Sequence, residues 1–581
     1  MPFSRLNSAQ NGPGAGSIWL LALILATIWF ANLETRKLVR PDEGRYAVVP
    51  LEMVRTGDWV TPRQNGLKYF EKPAFQYWAT AAAYEVFGVA HWTSRLWPAL
   101  SGFLGVLLAG FVGARFWGLP TGLLAATVAA SSPLYALIAH VNTLDMGVTF
   151  FLNLGMLSLM LAQREGAIRP LTGGAVTSGP PTGTPHNRAR RNWMWLAWAA
   201  LGLAVLSKGL IGAALPAAAL IVYTLWSRDW ALWKRMHFFS GLLIFFAVTL
   251  PWFVVVSLRN PDFFQFFFIH EHVERFLTKA HSRVGPPWYF VPILLAGMLP
   301  WTFLMFDAGL RALRREPGGG FQPKRFLLAW SLLVFVFFSA SSSKLPSYIL
   351  PIFPALALLI GEYLSRISSR ALAWHVAPAI GIGAVALYLA PQATRLADVE
   401  VPLALYRDYL PWLLTAAGCI VTGAALALWF ALKARTLPAV LSLGFGALLA
   451  AQLALTGHDT LSPSSSTYHL VQQIKPYLKT DRDANGKLAL PFYSISIYDQ
   501  TLPFYINRSV TLVEYTGELS FGIEQEPGSF IKDYAEFERQ WRAAPDALAI
   551  MHPGTLVYFN AHKVPHTILA RDTRRVIVRN H

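Results

Sequence analysis

The sequence predicts a membrane all-α fold of about thirteen transmembrane helices, with juxtamembrane helices outside the bilayer and a small C-terminal α/β domain. Three observations carry that prediction. The 581 residues are 54% hydrophobic and only 14% charged, with a mean hydropathy of +0.40, which suits a chain dissolved mostly in lipid. Apolar runs recur at lengths close to the ~20 residues that cross a hydrocarbon core of roughly 30 Å. From residue 459 onward such runs stop and shorter, β-like pieces replace them.

Taken in order, residues 1–17 form a cytoplasmic N-terminus. The first apolar run follows a polar stretch with one arginine, Arg5, and no Ala-x-Ala cleavage site comes after it, so it reads as a retained helix. The membrane region covers 18–458, with spans near 18–34, 96–114, 120–138, 145–162, 193–207, 209–226, 238–257, 288–309, 326–341, 346–363, 372–390, 409–431 and 436–456. Lysine and arginine gather in alternate short loops, among them Arg188, Arg190, Arg191, Lys234, Arg311, Arg314, Arg315, Lys324 and Arg366. These loops are assigned to the cytoplasm, since such residues resist translocation. The external loops are then 35–95, 139–145, 258–287 and 341–347, and an odd span count exports 459–581. In that last segment 488–498, 509–515 and 575–579 are β-like and 533–542 is helical. The Gly/Pro/Thr-rich stretch 171–185 and its basic end read as a disordered cytoplasmic linker.

The net charge of +17, from 49 basic and 32 acidic residues, is assigned to cytoplasmic loops and anionic membrane lipid rather than to nucleic acid. The single cysteine, Cys419, lies in a span and can form no internal disulfide.

The first external loop breaks the charge rule, with Arg36, Lys37, Arg40, Arg45, Arg55, Arg63, Lys68 and Lys72 on the cation-poor side. Long loops escape that rule, and clustered cations outside have a purpose if the ligand is a phosphate. Within this loop, residues 42–56 place Tyr46, Val49, Met53 and Val54 as an apolar stripe, with Gly57 to end the helix. A second aromatic helix runs from Pro73 to Phe87, and both should lie along the membrane surface.

Polar clusters recur on this one side: Asp42-Glu43-Gly44-Arg45; Glu71-Lys72; His140 to Asp145; His270-Glu271-His272 through Glu274 and Arg275; and Ser341 to Tyr348 around Lys344. Ionisable groups at membrane depth or at its rim are costly, so they mark substrate sites by default. Glu71, His270 and His272 also offer the carboxylate and imidazole donors of a zinc site, against the plainer reading of a polar loop.

The motifs Pro-Asp-Glu-Gly-Arg-Tyr at 41–46, Tyr-Phe-Glu-Lys-Pro at 69–73, Asp145 after Asn142, Glu-His-x-x-Arg-Phe at 271–276 and Ser-Lys-Leu-Pro-Ser-Tyr at 343–348 resemble the lipid-carrier-dependent integral membrane glycosyltransferases, relatives of the protein O-mannosyltransferases with the GT-C fold. In detail they look closest to the 4-amino-4-deoxy-L-arabinose transferases of lipid A. The resemblance implies an inner-membrane enzyme with its active site and C-terminal domain periplasmic, and the chain is read as a monomer. It would move aminoarabinose from an undecaprenyl phosphate carrier to lipid A phosphates and so give resistance to polymyxin and cationic antimicrobial peptides. It implies Asp42, Glu43 and Asp145 as catalytic residues, and Arg45, Tyr69, Glu71, Lys72, Arg275, Lys344 and Tyr348 as substrate-binding ones. Another sugar, mannose or galacturonic acid, moved to protein or glycolipid, is the alternative within the superfamily.

Each cluster has a plain counterpart. Asp42 and Glu43 could cap a helix dipole, Lys344 and Tyr348 could be snorkelling and belt residues, and Lys208 is read as a turn residue. A transporter would call for inverted repeats with helices broken at the midplane, whereas these charges cluster outside the membrane.

Overall fold

The computed structural model describes residues 15–164, 184–274, 285–317, 320–478 and 490–581, the side chains at 15, 184–186 and 270–274 excepted. Each apolar stretch of the sequence carries a helix or a bent helix pair. Among the described residues, eight helices are long and apolar enough to cross a bilayer, and the count rises to ten if each bent pair is one span. Gly16–Phe30 and Ile211–Ser227 are shorter apolar helices. Thr184–Lys208, at 25 residues, opens on Arg188, Arg190 and Arg191, so the basic end expected as disordered linker is instead helical. Most of the linker itself lies outside the described residues. The chain is a multi-pass membrane protein.

The bundle begins with α1 (Ala15–Phe30). Then come α2 (Asp42–Thr56) and α3 (Phe75–Phe87), both in the first long loop. Next are α4 (His91–Trp117), α5 (Leu119–Ser131), α6 (Pro133–Ala139), α7 (Asp145–Arg164) and α8 (Thr184–Lys208). Helices α5 and α6 meet at 67°, where Ser132 is extended and Pro133 lacks the N–H that would continue the ladder. Small residues draw neighbours close: a Cβ at Gly113 would lie 3.1 Å from the Gly122 Cα, and one at Gly423 2.9 Å from the Gly446 Cα.

The loop carrying α2 and α3 includes a short hairpin, β1 (Arg63–Gln64) with β2 (Leu67–Lys68), turned by Asn65 and Gly66 at φ of 56° and 78°. The C-terminal segment folds as a six-stranded mixed sheet. Its strands are β3 (Phe492–Ile495), β4 (Thr511–Val513), β5 (Phe530–Ile531), β6 (Leu548–Met551), β7 (Thr567–Arg571) and β8 (Val576–Arg579), in the order β5-β4-β3-β6-β8-β7. The first four are parallel and the last two antiparallel to their neighbours. Parallel strands need cover on both faces, and alternate residues supply it. Leu548 and Ile550 face a core shared with Tyr46, Val49, Tyr69 and Tyr77, while Ala549 and Met551 face one shared with Phe537 and Trp541 of the helix Tyr534–Ala543.

This arrangement changes one expectation. Helix α2 ends at Gly57 in the left-handed conformation, as its sequence requires, yet it is not laid open on a surface. Residues 43–53 are buried, and Gly44 lies so close to the C-terminal domain that a Cβ there would stand 2.6 Å from the Gln500 carbonyl carbon. Asn65 exchanges two 2.8 Å hydrogen bonds with the Val510 backbone. The C-terminal domain therefore clamps the first loop onto the bundle.

Candidate active site

The site forms where the first long loop, the α6–α7 connection, the end of α8, the Ser341–Tyr348 loop and the C-terminal domain meet at one end of the bundle. Its structural pin is Glu43. The carboxylate is 1% exposed and accepts from Arg95 at 2.7 and 2.9 Å, from the Val39 N–H at 3.0 Å and from the Asn142 N–H at 3.1 Å, with Arg36 at 3.5 Å. Arg95 and Arg36 in turn donate to the backbone carbonyls of Leu33, Arg36, Lys37 and His140. Burial alone would raise this carboxyl, but the two guanidiniums and the N–H donors outweigh it and hold it well below the usual carboxylate range. Glu43, expected among the catalytic residues, is thus buried with its carboxylate engaged by protein donors, and it ties the first loop to the α6–α7 connection.

Its neighbour faces the other way, because successive helical residues point ~100° apart. Asp42 has 38% of its side chain exposed and lies 3.4 Å from Arg45. Arg45 also pairs with Glu518 of the C-terminal domain. Glu518 in turn accepts from Gln64 at 3.0 Å and Gln500 at 3.1 Å. The phenol of Tyr69 is buried beside this group; burial first, and then the Glu71 carboxylate, push it well above its ordinary pKa while Arg45 acts against them. The hydroxyls of Tyr69 and Tyr77 have no hydrogen-bond partner among the described residues. Glu71 and Lys72 sit half-buried next to each other, the ammonium donating to the Glu71 carbonyl at 2.7 Å. Asp42, Arg45, Tyr69 and Glu71 are thereby gathered in one polar corner with an acid that no sequence motif marked.

A second group follows the α6–α7 connection, which is tied to α3 by the Gln76 amide donating to the Asn142 side chain at 3.3 Å. Asp145, at the N-terminus of α7, forms an ion pair with Lys208 at the C-terminus of α8. The Lys208 ammonium also stands 4.6 Å from the centre of the Tyr348 ring. Lys208, read as a turn residue, is in fact the cation that bridges two expected site residues. The sequence signal for it was a lone lysine closing an otherwise apolar span.

Lys344 is placed differently from the expectation. Its ammonium is buried and donates to the carbonyls of Phe338, Ser339 and Ser341 at 3.2, 2.8 and 2.8 Å, closing the end of the helix Pro323–Ala340. Burial lowers its pKa. The segment after Arg259 packs beside the site, with Phe70 against Phe263 at 5.1 Å and Asn260 donating to Thr61 at 3.1 Å. Arg275 lies outside the described residues, as do the side chains of His270 and His272. Among the described residues no three His, Cys, Asp or Glu are grouped to hold a metal; of the expected zinc set only Glu71 is described.

Residues 17–267 match the family described as dolichyl-phosphate-mannose-protein mannosyltransferase, and residues 470–580 the aminoarabinose transferase C-terminal domain. Together with the helical bundle and the charged corner at one of its ends, these make the chain an integral membrane glycosyltransferase. It is 30% identical over 525 residues to the undecaprenyl phosphate-α-4-amino-4-deoxy-L-arabinose arabinosyl transferase of Erwinia tasmaniensis, covering 87% of each chain. It is 32% identical over 419 residues to transferase 1 of that name from Pseudomonas fluorescens, covering 68% of this chain and 70% of the relative. The crystal structure of ArnT from Cupriavidus metallidurans bound to undecaprenyl phosphate superposes with a TM-score of 0.89 at 35% identity, over 98% of this chain and 99% of that one. The chain belongs to the undecaprenyl phosphate-aminoarabinose arabinosyl transferase family.

Proposed function

We propose that the enzyme transfers 4-amino-4-deoxy-L-arabinose from undecaprenyl phosphate to lipid A phosphates at the periplasmic face of the inner membrane. What supports the reading is that the first loop, which carries Asp42, Arg45 and Glu71, is hydrogen-bonded through Glu43 and Gln76 to Asn142, in the connection that leads into Asp145, which pairs with Lys208 beside the Tyr348 ring.

The chemistry is a single displacement. An oxygen of the acceptor phosphate attacks the anomeric carbon, and the bond from that carbon to the carrier phosphate breaks with its electron pair going to the carrier oxygen. A phosphate monoester becomes a diester on lipid A, while a diester becomes a monoester on the carrier. No proton has to be taken from the nucleophile, and attack opposite the leaving group inverts the anomeric centre. What the protein must supply is positive charge at the departing phosphate and fixed placement of both lipids. Arg45, Lys72, Lys208 and the Tyr348 hydroxyl are the groups for the first task, with Arg275. Asp42 positions the acceptor, and Glu71 and Asp145 attract the cationic amine of the sugar. Glu43 and Lys344 act indirectly by holding the loops.

A zinc ion on Glu71, His270 and His272 belongs to the same reading, since carboxylate and imidazole are its usual donors. When bound it would add positive charge beside the carrier phosphate. Metal analysis of purified protein before and after Glu71→Ala and His272→Ala tests it, with loss of stoichiometric zinc in the variants expected.

Lipid A extracted from cells with and without the chain tests the function. A mass increment of one pentosamine that requires the chain supports it, and an unchanged lipid A with a functional donor pathway refutes it.

A further inference from the structure

We infer that the chain binds an anionic phospholipid headgroup at the end of the bundle opposite the active site. There the C-termini of the helices Thr302–Ala312 and Phe353–Leu364 and the N-terminus of Pro323–Ala340 converge. The last of these has 18 residues and ends beside Lys344, which places the convergence about 27 Å from the catalytic end. It forms a recess of about 630 Å³ lined by Arg311, Arg314, Arg315, Glu316, Lys324 and Arg366.

The charges do not cancel. Lys324 is held between Glu316 at 3.0 Å and Glu362 at 3.2 Å, and Glu362 also pairs with Arg366 at 3.0 Å. Both carboxylates are thereby engaged. Arg311 stacks 4.3 Å over the Tyr363 ring, and Asp307 nearby is taken by His375 at 3.1 Å. Arg314 and Arg315 are exposed and, among the described residues, have no carboxylate partner. Three arginines with spare donors around one concavity form a receptor for phosphate oxygens.

The second observation selects a lipid. Leading to the recess on the helix Thr302–Ala312 and just past it, Phe303, Phe306, Leu310 and Leu313 are 48, 54, 63 and 43% exposed. Their spacing of three and four residues makes one apolar stripe along the outside of the helix. An acyl chain laid on that stripe brings its phosphate to the arginines. A loop that served only to fix orientation would need positive charge, but neither the concavity nor the stripe.

The test uses the full chain purified in detergent, where orientation has no bearing, and native mass spectrometry with added phosphatidylglycerol, phosphatidylcholine of the same chain length, or inorganic phosphate. The wild type should retain phosphatidylglycerol in preference to phosphatidylcholine, and the double variant Arg314→Gln, Arg315→Gln should bind it roughly 30-fold more weakly. The variant's sugar transfer in the same detergent should be unchanged, which reports that it is folded. Equal binding of the two lipids, equal binding by the variant, or displacement of phosphatidylglycerol by millimolar inorganic phosphate would each overturn the inference.

Discussion

Arg95 grips Glu43 at 2.7 and 2.9 Å with both side chains 1% exposed, while Asp42, one residue earlier, stands 38% exposed at the site. Two adjacent acids thus divide into one fully engaged within the protein and one open to solvent, and their substitutions should separate cleanly. Glu43→Ala leaves two buried guanidiniums without their acid, at a cost of about 3–5 kcal/mol. Its melting temperature in detergent should drop and its activity with it. Asp42→Asn should melt within about 0.5 kcal/mol of wild type. Its sugar transfer, followed by lipid A mass spectrometry, should fall by roughly two orders of magnitude.

Lys208 and Asp145 should act as one unit. Lys208→Met and Asp145→Asn are each expected to reduce transfer strongly, and the double variant to lose no more than the worse single one. The coupling energy in that cycle should lie at about 0.5–3 kcal/mol. Additive losses would assign the two residues independent roles.

Gly44→Ala tests the clamp. The added methyl meets backbone rather than a flexible side chain, at 2.6 Å from the Gln500 carbonyl carbon, so the C-terminal domain must shift. Overpacking of this kind costs about 1–3 kcal/mol. Limited proteolysis should release the C-terminal domain faster in this variant, and transfer should fall as Glu518 moves away from Arg45.

Glu52 gives the site a pH dependence. It is 3% exposed and accepts from the Gly66 N–H at 3.0 and 2.9 Å. Burial pushes its pKa up to about 7, against the pull of Arg55 and the Gly66 N–H. A carboxyl raised on folding binds more protons in the folded state, so the stability it contributes is full below about 4.5 and is lost as pH rises through 7. The melting temperature of wild type should therefore decline between pH 5 and 8 relative to Glu52→Gln. Parallel curves would show that the carboxyl is ionised throughout.

The membrane class, the helix positions and most site segments were legible in the sequence for one reason: charge is conspicuous in an apolar chain. Asp42, Arg45, Glu71, Lys72, Asp145 and Tyr348 all stood out against that background. What the sequence could not convey was direction. Asp42 and Glu43 are equivalent as letters yet point ~100° apart on the helix. Lys344 had the same polar flanks as a ligand-binding lysine, but a helix end with open carbonyls lies within its reach. Lys208 was missed because its partners are Asp145 of α7, 63 residues before it, and Tyr348, 140 residues after it. In the C-terminal domain, β6 was missed because both of its faces are covered. A four-residue run such as Leu-Ala-Ile-Met then shows no alternation. Glu518 carried no signal at all, since one glutamate in a polar segment resembles any other until the fold brings it to Arg45.

That pairing spans 473 positions of the chain. The polar corner around Arg45 therefore depends on the order of synthesis: Arg45 is made early and waits through the making of the whole bundle for the acid that completes its surroundings. A polypeptide stopped short of residue 518 has its membrane helices but leaves Arg45 without that acid.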